Sequence, residues 1–149
     1  IDDSRLEFAK KNGWADVGLN PNKVDVPQAL RDMTEGRGAD VTIEANGFEP
    51  TFKGAINSVR PGGTVSIIGV FEKPQIVEMN KLWIKNITIA MGLVNANRIP
   101  ELINLIKAGK IDMRPLITHT LPLSQVAEAY DIFEERRDGA IKVVLKADA

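Results

Sequence analysis

Residues 39 to 70 constrain this chain more than any other stretch, because they spell a strand, helix, strand unit that makes sense only inside an open parallel sheet. Ala39-Asp40-Val41-Thr42-Ile43-Glu44-Ala45-Asn46-Gly47 is a β-branched run ended by Asn-Gly, where the backbone can take positive φ and leave a sheet. Phe52, Ala55, Ile56 and Val59 then recur at i, i+3, i+4 and i+7, the apolar stripe of a helix, and Pro61-Gly62-Gly63 is expected to stop it. Thr64-Val65-Ser66-Ile67-Ile68-Gly69-Val70 reads as a second strand, apolar enough to be covered on both faces. Two strands joined by one helix imply a right-handed βαβ crossover and an α/β fold. Ligands of such sheets bind at the carboxyl ends of the strands. Here those ends are Asn46-Gly47 and Gly69-Val70.

The flanking segments continue the alternation. Ser4-Arg5-Leu6-Glu7 has capping-box spacing, so a helix is expected from about residue 5 to Asn12, with Gly13 after its end. Ile1 reads as the last residue of a strand, with Asp2 and Asp3 at its carboxyl end, and Asp16 to Leu19 as a short strand. Asp25 is placed to cap a helix whose buried stripe is Val26, Ala29, Leu30 and Met33. Phe71 to Glu78 reads as a loop near any strand-end site, Met79 to Lys85 as a helical turn, and Asn86 to Gly92 as another strand. Ile99, Leu102, Ile103 and Ile106 mark a helix with Pro100 in its first turn. Pro115 to Pro122 is extended, Ser124 is expected to cap a last helix with Val126, Tyr130 and Phe133 inward, and Ile141 to Lys146 closes the chain as a strand.

Composition narrows the partners. At 149 residues, 44% hydrophobic, the chain is sized for one core. Its 19 basic and 20 acidic side chains are interspersed, which argues against nucleic acid and anionic lipid as partners. The absence of Cys excludes disulfides, thiolate metal sites and a Cys nucleophile, and no apolar stretch approaches the ~20 residues of a membrane-spanning helix. A cytoplasmic protein is the expectation. The chain begins Ile1-Asp2-Asp3, as if cut within an element, and is read as a piece of a longer protein.

In order, these motifs resemble the carboxyl-terminal part of the zinc-dependent medium-chain alcohol dehydrogenases. The resemblance is carried by Ile1-Asp2 before the helix Arg5 to Asn12, by Thr34-Glu35-Gly36-Arg37-Gly38-Ala39-Asp40-Val41, and by Glu44-Ala45-Asn46-Gly47. It continues through Arg60-Pro61-Gly62-Gly63-Thr64, Ile67-Ile68-Gly69-Val70, Leu116-Ile117-Thr118-His119 and Ala140-Ile141-Lys142-Val143-Val144-Leu145. It implies a partial Rossmann-type parallel sheet over residues 1–92 and, over 93–149, a helix-strand-helix-strand segment that would complete a catalytic domain. It implies a parent that oxidises an alcohol or polyol, or reduces the matching carbonyl compound, with NAD as hydride acceptor and a catalytic zinc.

The departures matter as much. The family's G-x-G-x-x-G turn is missing, since Gly36, Gly38, Gly62 and Gly63 lack its spacing. With one His and no Cys the chain also lacks the zinc ligands, so by itself it is not expected to transfer hydride.

The resemblance places Asp2 on the coenzyme ribose, where a carboxylate repels a 2′-phosphate and favours NAD over NADP. Arg5 lies along the same ribose or simply on the surface. Asn46 and Gly47 are placed at the adenosine, Ile68, Gly69 and Val70 at the nicotinamide, and Lys142 at the phosphates. His119 is expected to be structural, and Trp14 and Trp83 to pack in a core or an interface.

Two alternatives stay open, a zinc-free quinone or enoyl reductase of the same superfamily and a non-enzymatic interaction module. The resemblance also implies a homo-oligomer, dimer or tetramer, through an edge strand at Ile87 to Met91. The Rossmann strand order leaves an unpaired edge at Val41 and Ile43, expected to be filled by a borrowed strand or by more of a longer chain.

Overall fold

The computed structural model describes residues 2–93 and 95–148, so the strand expected to end at Ile1 lies outside the described residues. The chain divides into two compact units. One runs up to Leu6 and over Val17–Asn95, the other over Glu7–Asp16 and from Ala96 onward.

In the first unit β1 (Ala39–Glu44), β2 (Val59–Ile67) and β3 (Thr88–Met91) form a sheet in the order β1-β2-β3. All pairing is parallel, with Val41 opposite Thr64, Glu44 opposite Ile67 and Ile67 opposite Met91. The helix between the first two strands, α3 (Glu49–Ser58), buries Phe52, Ala55 and Ile56 of the expected stripe against Val65 and Ile67, and Val59 joins the same core from β2. Phe71, Leu82, Ile87 and Ile89 pack on this core, and Phe71 meets Phe52 edge to face at 5.8 Å between ring centroids.

The helix stops earlier than Pro61. Val59 is already in β2, and Arg60-Pro61-Gly62-Gly63 is a bulge inside the strand: the register moves from Ala39 opposite Val59 to Val41 opposite Thr64. Gly63 belongs there because a Cβ would lie 2.8 Å from the Asp40 carbonyl oxygen. Nor is β2 covered on both faces. Val65 and Ile67 are buried, while Thr64 and Ser66 on the other face are only half-buried. The same asymmetry leaves Val41 and Ile43 on β1 more than half exposed, at the free edge of the sheet within this unit.

Helix α2 (Val26–Met33) starts as expected, with the Asp25 carboxylate accepting from the Gln28 amide at 3.0 Å. Its stripe is only half-buried, and Met33 is exposed. Asp16 to Leu19 is irregular rather than a strand, in keeping with Gly18 and the absence of a partner strand there. After β2, Phe71 to Glu78 is a loop, followed by the short α4 (Met79–Leu82) and a 3₁₀ turn.

Helix α1 (Asp3–Lys11) begins two residues before its expected start. Its cap is Asp2, not Ser4: Asp2 Oδ1 accepts from the Ser4 amide at 3.0 Å, the Ser4 hydroxyl at 2.6 Å and the Arg5 amide at 3.3 Å. A carboxylate two residues upstream takes the first orphan amides, so the helix starts before Ser4 can act as its cap.

The second unit pairs β4 (Ile117–Pro122) in parallel with β5 (Lys142–Lys146), joined by α6 (Val126–Glu135). A 3₁₀ turn at Arg114–Leu116 shortens the extended segment expected from Pro115. Ser124 does not cap α6. Its amide and hydroxyl go to the Asp148 carboxylate at 2.9 and 3.1 Å, and α6 is entered through a 3₁₀ turn instead. The face of α6 that is buried is Ala129, whereas Val126, Tyr130 and Phe133 are exposed within the unit. Helix α5 (Ile99–Lys107) likewise leaves Ile99, Leu102, Ile103 and Ile106 exposed.

Candidate functional site

The segments that leave the carboxyl ends of β1 and β2 touch main chain to main chain. Gly47, at φ +83°, has no room for a Cβ, which would overlap the Val70 carbonyl group. A Cβ on Gly69 would overlap Glu44 Oε2 and the Gly47 amide. These two glycines therefore let backbone approach backbone.

Glu44 stands where the strand ends meet, and its residue is 2% exposed. Oε1 accepts from the Asn46 amide at 2.9 Å, the Gly47 amide at 2.9 Å and the Thr51 hydroxyl at 2.7 Å; Oε2 accepts from the Gly47 amide at 3.1 Å. The Glu44 carbonyl oxygen accepts from the Ile68 and Gly69 amides at 2.9 and 3.1 Å. Burial pushes the carboxyl pKa up, but the Thr51 hydroxyl and the Asn46 and Gly47 amides together outweigh it and hold the group below its ordinary value. Sequence reasoning missed Glu44 as a site residue. The available signal was an acid on the inward face of a β-branched strand, two residues before Asn-Gly and seven before a Thr.

Two clefts open beside this contact. One, of about 640 Å³, lies at the ends of β2 and β3 and is lined by Ile68, Gly69 and Val70 together with Phe71, Met91 and Leu93. The other, of about 490 Å³, is lined by Asn46, Gly47, Phe48 and Val70 on one side and by Glu72 to Gln75 on the other. The residues expected at the two halves of the coenzyme thus line two openings that share Val70. Both volumes fall in the range of small-molecule sites, roughly 300–1,000 Å³.

Asp2 and Arg5 sit at the start of α1. The Ser4 hydroxyl, then the Arg5 amide, hold the Asp2 carboxyl below the ordinary carboxylate range, and Arg5 Nε stands 3.8 Å from Oδ2. Lys142 belongs to the other unit, at the start of β5, where it lines a cavity of about 370 Å³ with Tyr130 and Phe133. His119 is half-buried on β4 with Nδ1 3.0 Å from the Thr118 hydroxyl. Trp14 meets Phe8 edge to face at 5.6 Å. Trp83 is 71% exposed, so it takes no place in the core.

The residues present do not fit a zinc centre: among the described residues no three His, Cys, Asp or Glu side chains are disposed to hold a metal ion. The cleft at the ends of β2 and β3 is lined mostly by apolar side chains. No described helix is long and apolar enough to cross a membrane.

The first unit is thus an open parallel α/β sheet with clefts beside the carboxyl ends of its strands, the place where ligands of such sheets bind. Residues 1–108 match the family described as zinc-binding dehydrogenase, and the chain belongs to that family. Over 148 residues it is 37% identical to an alcohol dehydrogenase of Cupriavidus necator, covering 97% of this chain and 40% of that protein. A probable zinc-binding alcohol dehydrogenase of Mycobacterium tuberculosis is 34% identical over 134 residues, 89% of this chain and 35% of that one. Among solved structures, the apo form of zinc dependent alcohol dehydrogenase 2 from Streptococcus pneumonia superposes with a TM-score of 0.90 at 38% identity, over 99% of this chain and 43% of that one. The chain therefore spans about two-fifths of the length of the relatives it matches.

Proposed function

We propose that this chain supplies coenzyme-binding structure to a zinc-dependent, NAD-linked alcohol or polyol dehydrogenase. The observation that carries the reading is the pair of clefts beside the carboxyl ends of β1 and β2, in a chain of this family. Residues 1–92 act as a partial dinucleotide-binding domain and residues 93–149 as a segment associated with the catalytic domain. When bound, NAD supplies the hydride acceptor for an alcohol carbon. This chain's own part is binding: Ile68, Gly69 and Val70 wall the nicotinamide half, Asn46 and Gly47 the adenosine half, and Asp2 and Arg5 the ribose. The zinc ligands belong to the parent outside this chain, and so does most of the pocket for the alcohol or carbonyl substrate. The parent works in the cytoplasm as a homo-oligomer joined through the β3 edge.

Titration calorimetry of the purified chain with NAD and NADP tests the binding half, with NAD expected to bind more tightly. Equal affinities would remove the ribose role of Asp2. For the parent, alcohol-dependent NADH formation followed at 340 nm is expected to disappear on chelation and return with zinc. Activity indifferent to chelation would replace this reading with a zinc-free reductase. The chain alone is expected to give no NADH, and turnover by it would refute the division of labour.

A further inference from the structure

We propose that Glu44 is a positioning residue for the coenzyme site: its buried carboxylate ties the exit of β1 to the exit of β2 and so presets the backbone that lines both clefts. The inference deepens the function proposed above and rests on it.

The residue works in two directions at once. Its side chain gathers the Asn46 and Gly47 amides and the Thr51 hydroxyl at the first turn of α3, which fixes the turn leaving β1. Its main-chain oxygen receives the Ile68 and Gly69 amides, which fixes the segment leaving β2. Gly69 brings that segment in so close that a Cβ would overlap Glu44 Oε2, so carboxylate and strand exit are in direct contact.

Packing alone gives no reason for an acid here, because the neighbouring inward positions are Val65 and Ile67 and a buried carboxylate is costly without donors. Three donors meet that cost, all of them reaching Oε1, with the Gly47 N–H shared between Oε1 and Oε2. A glutamine of the same shape cannot reproduce the set. It keeps one acceptor oxygen and turns an NH₂ toward the Gly47 amide, donor against donor. Glu44 lines neither cleft and acts through the backbone of Asn46–Gly47 and Ile68–Val70.

The test compares Glu44→Gln, Thr51→Val and Thr51→Ser with the wild-type chain, with Ile56→Val as a core variant that loosens packing away from the lock. Amide hydrogen exchange is read at Ile68 and Gly69, and NAD affinity is measured by calorimetry. Glu44→Gln is expected to speed exchange at both amides and weaken NAD about tenfold, a change of ~1.4 kcal/mol. Thr51→Val is expected to move both readouts the same way by less, and Thr51→Ser to restore them. Ile56→Val should leave NAD affinity unchanged. Unchanged exchange at Ile68 and Gly69, or a folded Glu44→Gln that binds NAD as the wild type does, would overturn the proposal. Should Glu44→Gln fail to fold, the Thr51 pair decides, and Thr51→Val matching Thr51→Ser in both readouts refutes the lock. A wild-type chain that binds no NAD at millimolar concentration overturns the coenzyme reading instead. The exchange arm then judges the lock by itself, upheld by faster exchange and overturned by unchanged exchange.

Discussion

Gly47 and Gly36 share the same backbone angle, φ +83°, but in opposite surroundings, and this makes a controlled experiment. An added Cβ at Gly36 meets nothing within 4 Å, whereas at Gly47 it overlaps the Val70 carbonyl, a main-chain group that no rotamer change can move. Gly36→Ala therefore carries only the left-handed backbone penalty, roughly 1–2 kcal/mol. The reduced freedom of the unfolded chain offsets about 0.4–1 kcal/mol of that, which leaves a net loss of ~1 kcal/mol. Gly47→Ala carries the same backbone difference plus overpacking, typically ~1–3 kcal/mol, for a total of about 2–4 kcal/mol. The quantity of interest is the difference between the two variants, ~1–3 kcal/mol, because the backbone contribution cancels in it. Urea unfolding followed by far-UV circular dichroism measures it. Equal losses, within ~0.5 kcal/mol, would refute the claim that the strand exits are in backbone contact at Gly47.

Three further outcomes are expected. Glu44 has a folded-state pKa below its ordinary value of 4.5, so its contribution to stability is present above that value and is lost as pH falls through the folded pKa. Denaturant midpoints from pH 6 to pH 3 should therefore fall more steeply in the wild type than in Glu44→Gln, and parallel curves would contradict the assignment. Phe52→Ala, at a 3% exposed position that meets Phe71 edge to face, should cost ~3–5 kcal/mol in the same unfolding assay, and a loss below ~1 kcal/mol would mean that the core closes over the gap. Ala90→Lys places a charge on the β3 edge and should shift sedimentation of the chain at micromolar concentration from dimer toward monomer. A wild-type chain that already sediments as a monomer would remove that interface from the proposal.

What the sequence determined by itself was local. The β-branched run into Asn46-Gly47, the stripe Phe52, Ala55, Ile56 and the Asp25 cap all depend on residues within two turns of one another, and each has its expected place in the structure. A hydrophobic period or a capping carboxylate acts over a few residues, so a short window suffices to read it. The family resemblance was legible for a similar reason, as a series of short strings in order.

Tertiary structure decided whatever needs a partner far along the chain. Pro61-Gly62-Gly63 looks like a helix stop, yet β1 draws Val59 into pairing with Ala39 and turns the whole run into a bulge. Ser124 has the composition of a cap, but Asp148, twenty-four residues on, takes both its amide and its hydroxyl. Glu44 is one acid among many until two strand exits close around it. The burial of its carboxylate depends on Gly69 approaching from another strand, and no local pattern contains that distance.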